Sequence, residues 1–256
     1  MSFVLRAAAV TDLGLVRSNN EDAGYAGRRL VAVADGIGGA PAGELASDIA
    51  IRALAELDRG PEPASPLAAL SAAVAAANRD IGDSTAGDIT RQGMGTTVTA
   101  LLLVGDQLAL LHVGDSRAYL LRGGQLSRLT RDDTFVQALV DSGMISAADA
   151  RSHPQRSIIT QAVQGGDFEP TGALLTPVPG DRYLLCSDGL SDYVDDDVLG
   201  ATLVRYPDRQ GCAQELVRLA LRAGAPDNVT VVVCDLVPAE VAAGPGVGDF
   251  LDAAAG

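Results

Sequence analysis

Four aspartates in this chain stand where an apolar run meets a turn. Val31-Ala32-Val33-Ala34 leads into Asp35-Gly36, Leu184-Leu185-Cys186-Ser187 into Asp188-Gly189, and His112-Val113-Gly114 into Asp115-Ser116, while Asp227-Asn228 opens the mirrored run Val229–Val233. A sheet holds a strand-end aspartate rigidly, and a neighbouring glycine lets backbone or ligand approach closely. Carboxylates converging in a partly buried site repel one another and lose hydration, and a hard divalent cation removes both penalties. Oxygen donors with no nearby His or Cys favour Mg2+, Mn2+ or Ca2+ over zinc. Any one Asp-Gly is a common turn dipeptide. Four strand-end aspartates, with Arg17, Glu21 and Asp22 besides, ask for more than turns.

Composition removes competing chemistries. All basic residues are Arg and there is no Lys, which excludes a Walker-type phosphate loop, a Schiff-base lysine and a lysine general base. The formal net charge of −14 disfavours non-specific binding to nucleic acid or to an anionic membrane surface. Cys186, Cys212 and Cys234 are odd in number and widely spaced, which argues against a disulfide scaffold or zinc site and for a cytoplasmic protein. No apolar run is long enough to span a membrane, and the first residues lack a signal pattern. At 256 residues one sizeable domain is expected.

The elements that must position these aspartates follow from periodicity. Strands are expected over Phe3–Val10, Arg29–Ala34, Thr96–Val104, Gln107–Val113, Arg117–Arg122, Arg182–Cys186 and Val229–Leu236. Helical spacing covers Ala42–Leu57, Leu67–Ile81, Thr134–Ser142, Asp197–Arg205 and Cys212–Arg222, and a polar turn covers Arg17–Asp22. Hairpin-clustered strands flanked by helix pairs indicate an α+β fold on an antiparallel sheet core. Residues 238–256 are Ala/Gly/Pro-rich and read as a disordered tail or linker, one that would suit a following membrane anchor; residues 1–237 read as one catalytic domain.

The strings Gly14–Asp22, Ala34-Asp35-Gly36-Ile37-Gly38-Gly39, Gly95-Thr96-Thr97, Gly114-Asp115-Ser116-Arg117, Ser187-Asp188-Gly189-Leu190 and Pro226-Asp227-Asn228-Val229-Thr230 occur in that order. Together they resemble the bacterial branch of the metal-dependent protein phosphatases, the PPM or type 2C family. The resemblance implies a four-layer α-β-β-α sandwich with two central, mainly antiparallel sheets. It implies hydrolysis of phosphoserine and phosphothreonine in signalling proteins by a hydroxide bridging two Mn2+ or Mg2+ ions, in opposition to bacterial Ser/Thr kinases. Asp35 would bridge the metals, Asp188 and Asp227 would complete one shell, and the Gly36 carbonyl would ligate the second ion. Asp115 with Asp188 would hold a weaker third metal, Glu21 and Asp22 would hold metal-bound waters, and Arg17 would grip the phosphate with its fork of donors.

Some family members carry a His directly after the Asp-Gly of the second motif. Here that residue is Ile37, so the leaving-group acid is unassigned and a metal-bound water is the first choice. The polar insertion over about 132–166 reads as a substrate-facing flap, with an amphipathic stretch (Phe135, Leu139, Val140) and exposed-looking charges (Asp132, Asp133, Arg151, Arg156); the alternative is a solvated crossover. His153, within it, is a candidate for proton transfer. Gly36–Pro41 brushes against a dinucleotide fingerprint but lacks its third glycine. Cys212 and Arg218 have the spacing of cysteine phosphatases, yet lie in a helical pattern without a glycine loop. His112 reads as a core histidine, and Asp195-Asp196-Asp197 as a helix cap. Two rival functions stand beside the phosphatase: a catalytically dead phosphopeptide- or metal-binding module, and a hydrolase of small phosphometabolites.

Overall fold

The structure is a computed structural model that describes residues 3–39, 41–86, 88–239 and 249–251. Its strands are β1 (Phe3–Asp12), β2 (Asp22–Ala26), β3 (Leu30–Ile37), β4 (Gly95–Thr96), β5 (Val98–Val104), β6 (Gln107–Val113), β7 (Arg117–Arg122), β8 (Gln125–Arg128), β9 (Thr171–Leu175), β10 (Arg182–Cys186), β11 (Val229–Pro238) and β12 (Asp249–Leu251). Its helices are α1 (Ala42–Arg59), α2 (Pro66–Thr85), α3 (Phe135–Asp141), α4 (Ala147–Arg151), α5 (Asp188–Ser191), α6 (Asp196–Arg205) and α7 (Arg209–Arg222).

Period-two alternation along the strands builds three apolar cores. On β11, Val229, Val231 and Val233 face α7, while Val232, Cys234 and Leu236 face the opposite sheet. On β3, Leu30, Ala32 and Ala34 face α1 and α2, while Val31 and Val33 turn to the space between sheets. The first sheet has the order β1-β11-β10-β7-β8 and the second β12-β2-β3-β5-β6-β9, with β4 added on β3; every pairing is antiparallel. Helix, sheet, sheet and helix enclose three cores, and the four-layer α-β-β-α sandwich is the result.

Local chemistry starts and stops the outer helices. The Ser65 hydroxyl accepts from the Ala68 amide, with Pro66 at the first helical position of α2. The Asp208 carboxylate accepts from the Gly211 amide and starts α7. At the far end of α1, the Arg29 guanidinium donates to the Leu57, Asp58 and Gly60 carbonyls, which the helix end would otherwise leave unpaired. Among the described residues no helix is long and apolar enough to cross a membrane.

Besides β12, the strands β2, β8 and β9 were not expected from the sequence. β2 reads Asp-Ala-Gly-Tyr-Ala, with no β-branched residue, and is buried throughout, paired with β3 just after it in the chain and lying against Thr230 and Val232 of β11. β8 and β9 are short strands whose side chains alternate with solvent. The residues from 238 onward also differ in part from the expected linker. Asp249–Leu251 pair antiparallel with Gly24–Ala26 and extend the second sheet, because β2 otherwise presents an unpaired edge; 240–248 and 252–256 lie outside the described residues.

The insertion over 132–166 is tied down at both ends. Asp132, expected to be exposed, is buried and paired with Arg117 and Arg128, and the Asp133 carboxylate accepts from the Gly114 amide. At the other end Thr96 and Val163 exchange both backbone hydrogen bonds, and Asn78 holds the Gln164 and Gly165 amides and the Gly166 carbonyl. Between these ends the segment from Thr134 to about residue 161 carries α3 and α4 and is closed on itself by a bridge between Thr134 and Ile159.

Candidate active site

The strand ends of both sheets deliver acids to one end of the sandwich. Asp22 and Asp35 are directly opposed across β2 and β3 in the second sheet. In the first sheet Asp227 precedes β11, Asp188 follows β10 and Asp115 precedes β7, and the registers Cys186–Val231 and Cys186–Arg117 put all three at the same end. Side-chain hydrogen bonds brace the sheets there. The Ser187 hydroxyl donates to Asp22 Oδ2 at 2.7 Å and accepts from the Thr230 amide. Asn228 accepts from the Glu21 amide through Oδ1 at 2.8 Å and donates through Nδ2 to the Leu13 and Asn19 carbonyls. Thr97 Oγ1 accepts from the Asp35 amide and pairs with Ser116 Oγ at 2.7 Å.

Two glycines permit this crowding. A Cβ on Gly14, whose φ is +74°, would sit 1.9 Å from the Asp227 carbonyl oxygen, and one on Gly189 would sit 2.0 Å from that of Asn228. Asp227-Asn228 is therefore wedged between two backbones that only glycine lets so near.

The carboxylates pay electrostatically for their convergence. Burial, then the charges of Asp22, Asp188, Asp115 and Asp227, hold the Asp35 carboxyl well above its usual range. Burial and the charges of Asp115, Asp192, Asp227 and Asp22 do the same to Asp188. Burial, then Asp132 and Asp192, push Asp115 up to about 7, against the pull of Arg117. Asp22 is pushed up to about 6 by burial, although the Ser187 hydroxyl draws it down. Asp115 Oδ1 is buried with no hydrogen-bond partner. Crowded oxygen donors of one charge, with an orphaned carboxylate oxygen among them, fit hard divalent cations. Among the described residues no three His, Cys, Asp or Glu side chains stand as a ready-made coordination group. Two of the acids are turned to protein partners instead: Asp22 to Ser187, and Asp227 to Arg17 and its neighbouring amide at Asn228.

Arg17 lies at the mouth, 47% exposed, its Nη2 2.8 Å from Asp227 Oδ2. The hydrogen bond to Asp227, with the charges of Asp227, Glu21 and Asp35, holds its guanidinium above the usual value. Glu21 is buried, accepts from Asn19 Nδ2, and packs against Gly43, where a Cβ would meet its Oε2 at 2.0 Å. Gly36 pairs with Thr96 and donates its amide to the Glu21 carbonyl.

The flap residues come to the other side of the acids. Arg151 Nη2 pairs with Asp195 at 2.7 Å and Arg156 Nε with Asp192 at 3.4 Å, so both arginines fasten the flap to the body. They line a cavity of about 230 Å3 that reaches Asp115 and Asp188. His153 is not among its lining residues; its Nδ1 accepts from the Gln155 amide and its ring rests 6.5 Å from that of Phe135, a role in shaping the flap turn. Asp195 stands at the start of α6 without a side-chain cap bond, its carboxylate engaged by Arg151 instead.

Asp192 is the site residue that sequence reasoning missed. It raises both Asp115 and Asp188 and anchors Arg156. Its one signal was helical spacing, four residues after Asp188, with its amide donating to the Asp188 carbonyl at 2.9 Å. The decoys resolve as structural residues. Cys212 is buried in α7, its thiol pushed up to about 11 by burial, and Arg218 pairs with Glu215. Burial pushes the Cys186 thiol up to about 12. His112 is buried, bonded to Thr99 Oγ1 and to the Arg131 carbonyl.

Comparison with known proteins places this geometry. A sequence profile of the family described as Protein phosphatase 2C matches residues 17–220. The serine/threonine protein phosphatase PstP of Mycobacterium tuberculosis is 53% identical over 237 residues, 93% of this chain and 46% of that protein. The chain thus spans about half the length of that relative. Protein phosphatase PhpP of Streptococcus pneumoniae is 31% identical over 91% of this chain and 98% of its own. The crystal structure of the PstP catalytic domain in complex with two manganese ions superposes with a TM-score of 0.87 at 51% identity, covering 93% of this chain and all of that one.

Proposed function

Because the chain belongs to the protein phosphatase 2C family, we propose that it is a metal-dependent protein-serine/threonine phosphatase whose catalytic unit is the sandwich of residues 1–237. The observation that carries this reading is the cluster of Asp22, Asp35, Asp115, Asp188 and Asp227 at one end of two sheets, the first and third of them buried and the others half-buried, with Arg17 beside it. Asp35, Asp188, Asp227 and the Gly36 carbonyl would hold two Mn2+ or Mg2+ ions, with a third at Asp115 and Asp188. Bound cations would supply an activated water and neutralise charge on the phosphoryl group.

The chain's own residues do the rest. Arg17 presents a half-exposed fork to two phosphoryl oxygens, and Asp227 aims it through their shared hydrogen bond. Asp22, fixed by Ser187, and Glu21, fixed by Asn19 and Gly43, orient water at the inner wall. Ile37 offers no proton at the outer end of β3, so the leaving alkoxide takes its proton from solvent ordered in the site. Phosphorylated proteins, among them a Ser/Thr kinase and its substrates, are the proposed partners, and the cytoplasm the proposed compartment.

The direct test is release of phosphate from a phosphothreonine peptide. Turnover is expected with Mn2+ and none after chelation. Turnover of nucleotides or sugar phosphates with none of phosphopeptides would favour the metabolite hydrolase, and metal binding with no turnover of either would favour the catalytically dead module.

A second prediction concerns the flap. Arg151→Glu breaks the pair with Asp195 and should lower kcat/KM for a phosphopeptide several-fold, leaving p-nitrophenyl phosphate within about twofold, since an exposed ion pair is worth roughly 0–1 kcal/mol. Adding Asp195→Arg restores the pair. Recovery of peptide activity would assign the effect to docking of the flap; no recovery would assign it to substrate contact by Arg151.

A further inference from the structure

The acids of the first sheet fall in a line. Along the strand order, the loop after β1 comes first, then Asp227, Asp188 and Asp115, then the flap after β8. Strands about 4.8 Å apart make that line roughly 19 Å long, the reach of about six extended residues. A peptide laid across the acids meets the flap at one end and residues 13–18 at the other. Arg17 and Asp227 lie close to the second end, so the residues there stand within a few positions of a bound phosphoresidue.

That end carries Leu15 and Val16. They are 60% and 74% exposed, and Val16 is the most exposed large apolar side chain among the described residues. Single exposed apolar side chains need no explanation. These two are consecutive, adjoin the arginine at the mouth, and ride on a clamped backbone. The Leu15 amide donates to the Ala225 carbonyl at 3.0 Å and the Val16 amide to the Pro226 carbonyl at 3.1 Å. Gly14 is wedged against Asp227, and Asn228 holds the Leu13 and Asn19 carbonyls. An apolar pair mounted this firmly at the rim costs little further entropy on contact.

The geometry points to Leu15 and Val16 as a specificity shelf that takes an apolar side chain of the substrate protein, flanking the phosphorylated residue on one side. The inference rests on the protein-phosphatase reading. The shelf discriminates by area removed from water, and an apolar flank also screens the Arg17–phosphate contact from solvent.

The experiment compares phosphothreonine peptides carrying Leu or Ser at each of the two positions before and after the phosphoresidue, with p-nitrophenyl phosphate alongside, in Mn2+. The unaltered chain should favour Leu by about tenfold in kcat/KM, mainly through KM, on one side only. Leu15→Ser/Val16→Ser should abolish that preference with the Ser-flanked peptide and the aryl phosphate within about twofold, and Leu15→Met/Val16→Ile should retain it. Absence of a one-sided preference in the unaltered chain, or an equal loss on every substrate in the Ser variant, would overturn the shelf while leaving the phosphatase reading intact. Turnover of the aryl phosphate with no peptide hydrolysed at all would overturn both.

Discussion

Asp35→Asn should lose at least two orders of magnitude in kcat, roughly 2.7 kcal/mol of transition-state stabilisation, and at the same time raise the melting temperature of the chelated protein. The two effects have one cause. Asp35 is proposed to bridge two cations, so the amide removes a charge from both at once. In the chelated chain the same carboxyl faces Asp22, Asp188, Asp115 and Asp227 across a partly buried cluster, and removing its charge relieves repulsion from all four. Asn keeps the shape, and the backbone bonds from Asp35 to Thr97 are untouched. Steady-state turnover with Mn2+ and a melt in chelator read the two sides separately. Near-normal turnover would remove Asp35 from the metal bridge. Lost turnover with a lowered melting temperature would show that the side chain is structural instead.

The second large effect is a dependence of stability on pH that cations invert. Asp22 and Asp115 are raised to about 6 and about 7, and Asp35 and Asp188 are raised well above the usual value. Unfolded aspartates titrate near ~3.9. Between about pH 4 and 7 the folded chain therefore binds more protons than the unfolded chain, and stability falls as pH rises. The contribution of these groups is fully present below about pH 4 and lost through about pH 6 to 7 for Asp22 and Asp115. In chelator the melting temperature should drop by at least about 5 °C between pH 5.5 and 8, each kcal/mol being worth roughly 2–4 °C in a chain of this size. Mn2+ prefers the deprotonated cluster, so with the metal in excess pH 8 should become the more stable condition. Asp35→Asn should flatten the chelated profile. A profile unchanged by Mn2+ and by that substitution would place the pH dependence elsewhere on the acidic surface.

The acids were legible because each adjoins an apolar run at one end of a strand, although β3 runs on past Asp35 to Ile37, held there by β4. Asp35, Asp115, Asp188 and Asp227 are marked by the runs beside them, and those runs form the expected strands β3, β6, β10 and β11. The α+β class with its antiparallel sheets followed from the same periodicity, and the four-layer order was implied by the resemblance that the ordered motifs carry. What stayed hidden depends on partners distant in sequence. β2 has no strand-like composition and is covered by β11, whose Thr230 and Val232 lie against Gly24. Ser187 and Asn228 could be quoted within motifs, yet nothing local shows that one holds Asp22 and the other Glu21. Asp132 looked like a solvated charge until Arg117 and Arg128 closed around it. Arg151 and Arg156 looked free to meet substrate, and their carboxylate partners lie on a different element.

The place of β11 in the first sheet has a consequence for synthesis of the chain. It is an inner strand between β1 and β10, and Thr11 and Thr230, 219 positions apart in sequence, meet there. A chain emerging from a ribosome at about 5–20 residues per second can assemble α1, α2 and the hairpins of the second sheet early, since their contacts are local. The first strand must wait for the last inner one. Until Asp227 and β11 have cleared the exit tunnel, Arg17 lacks its aiming carboxylate, Glu21 lacks Asn228, and Ser187 lacks Thr230. A nascent chain thereby lacks the assembled acid cluster until β11 has emerged, and any truncation that removes β11 leaves an open sheet edge where the acids should have met.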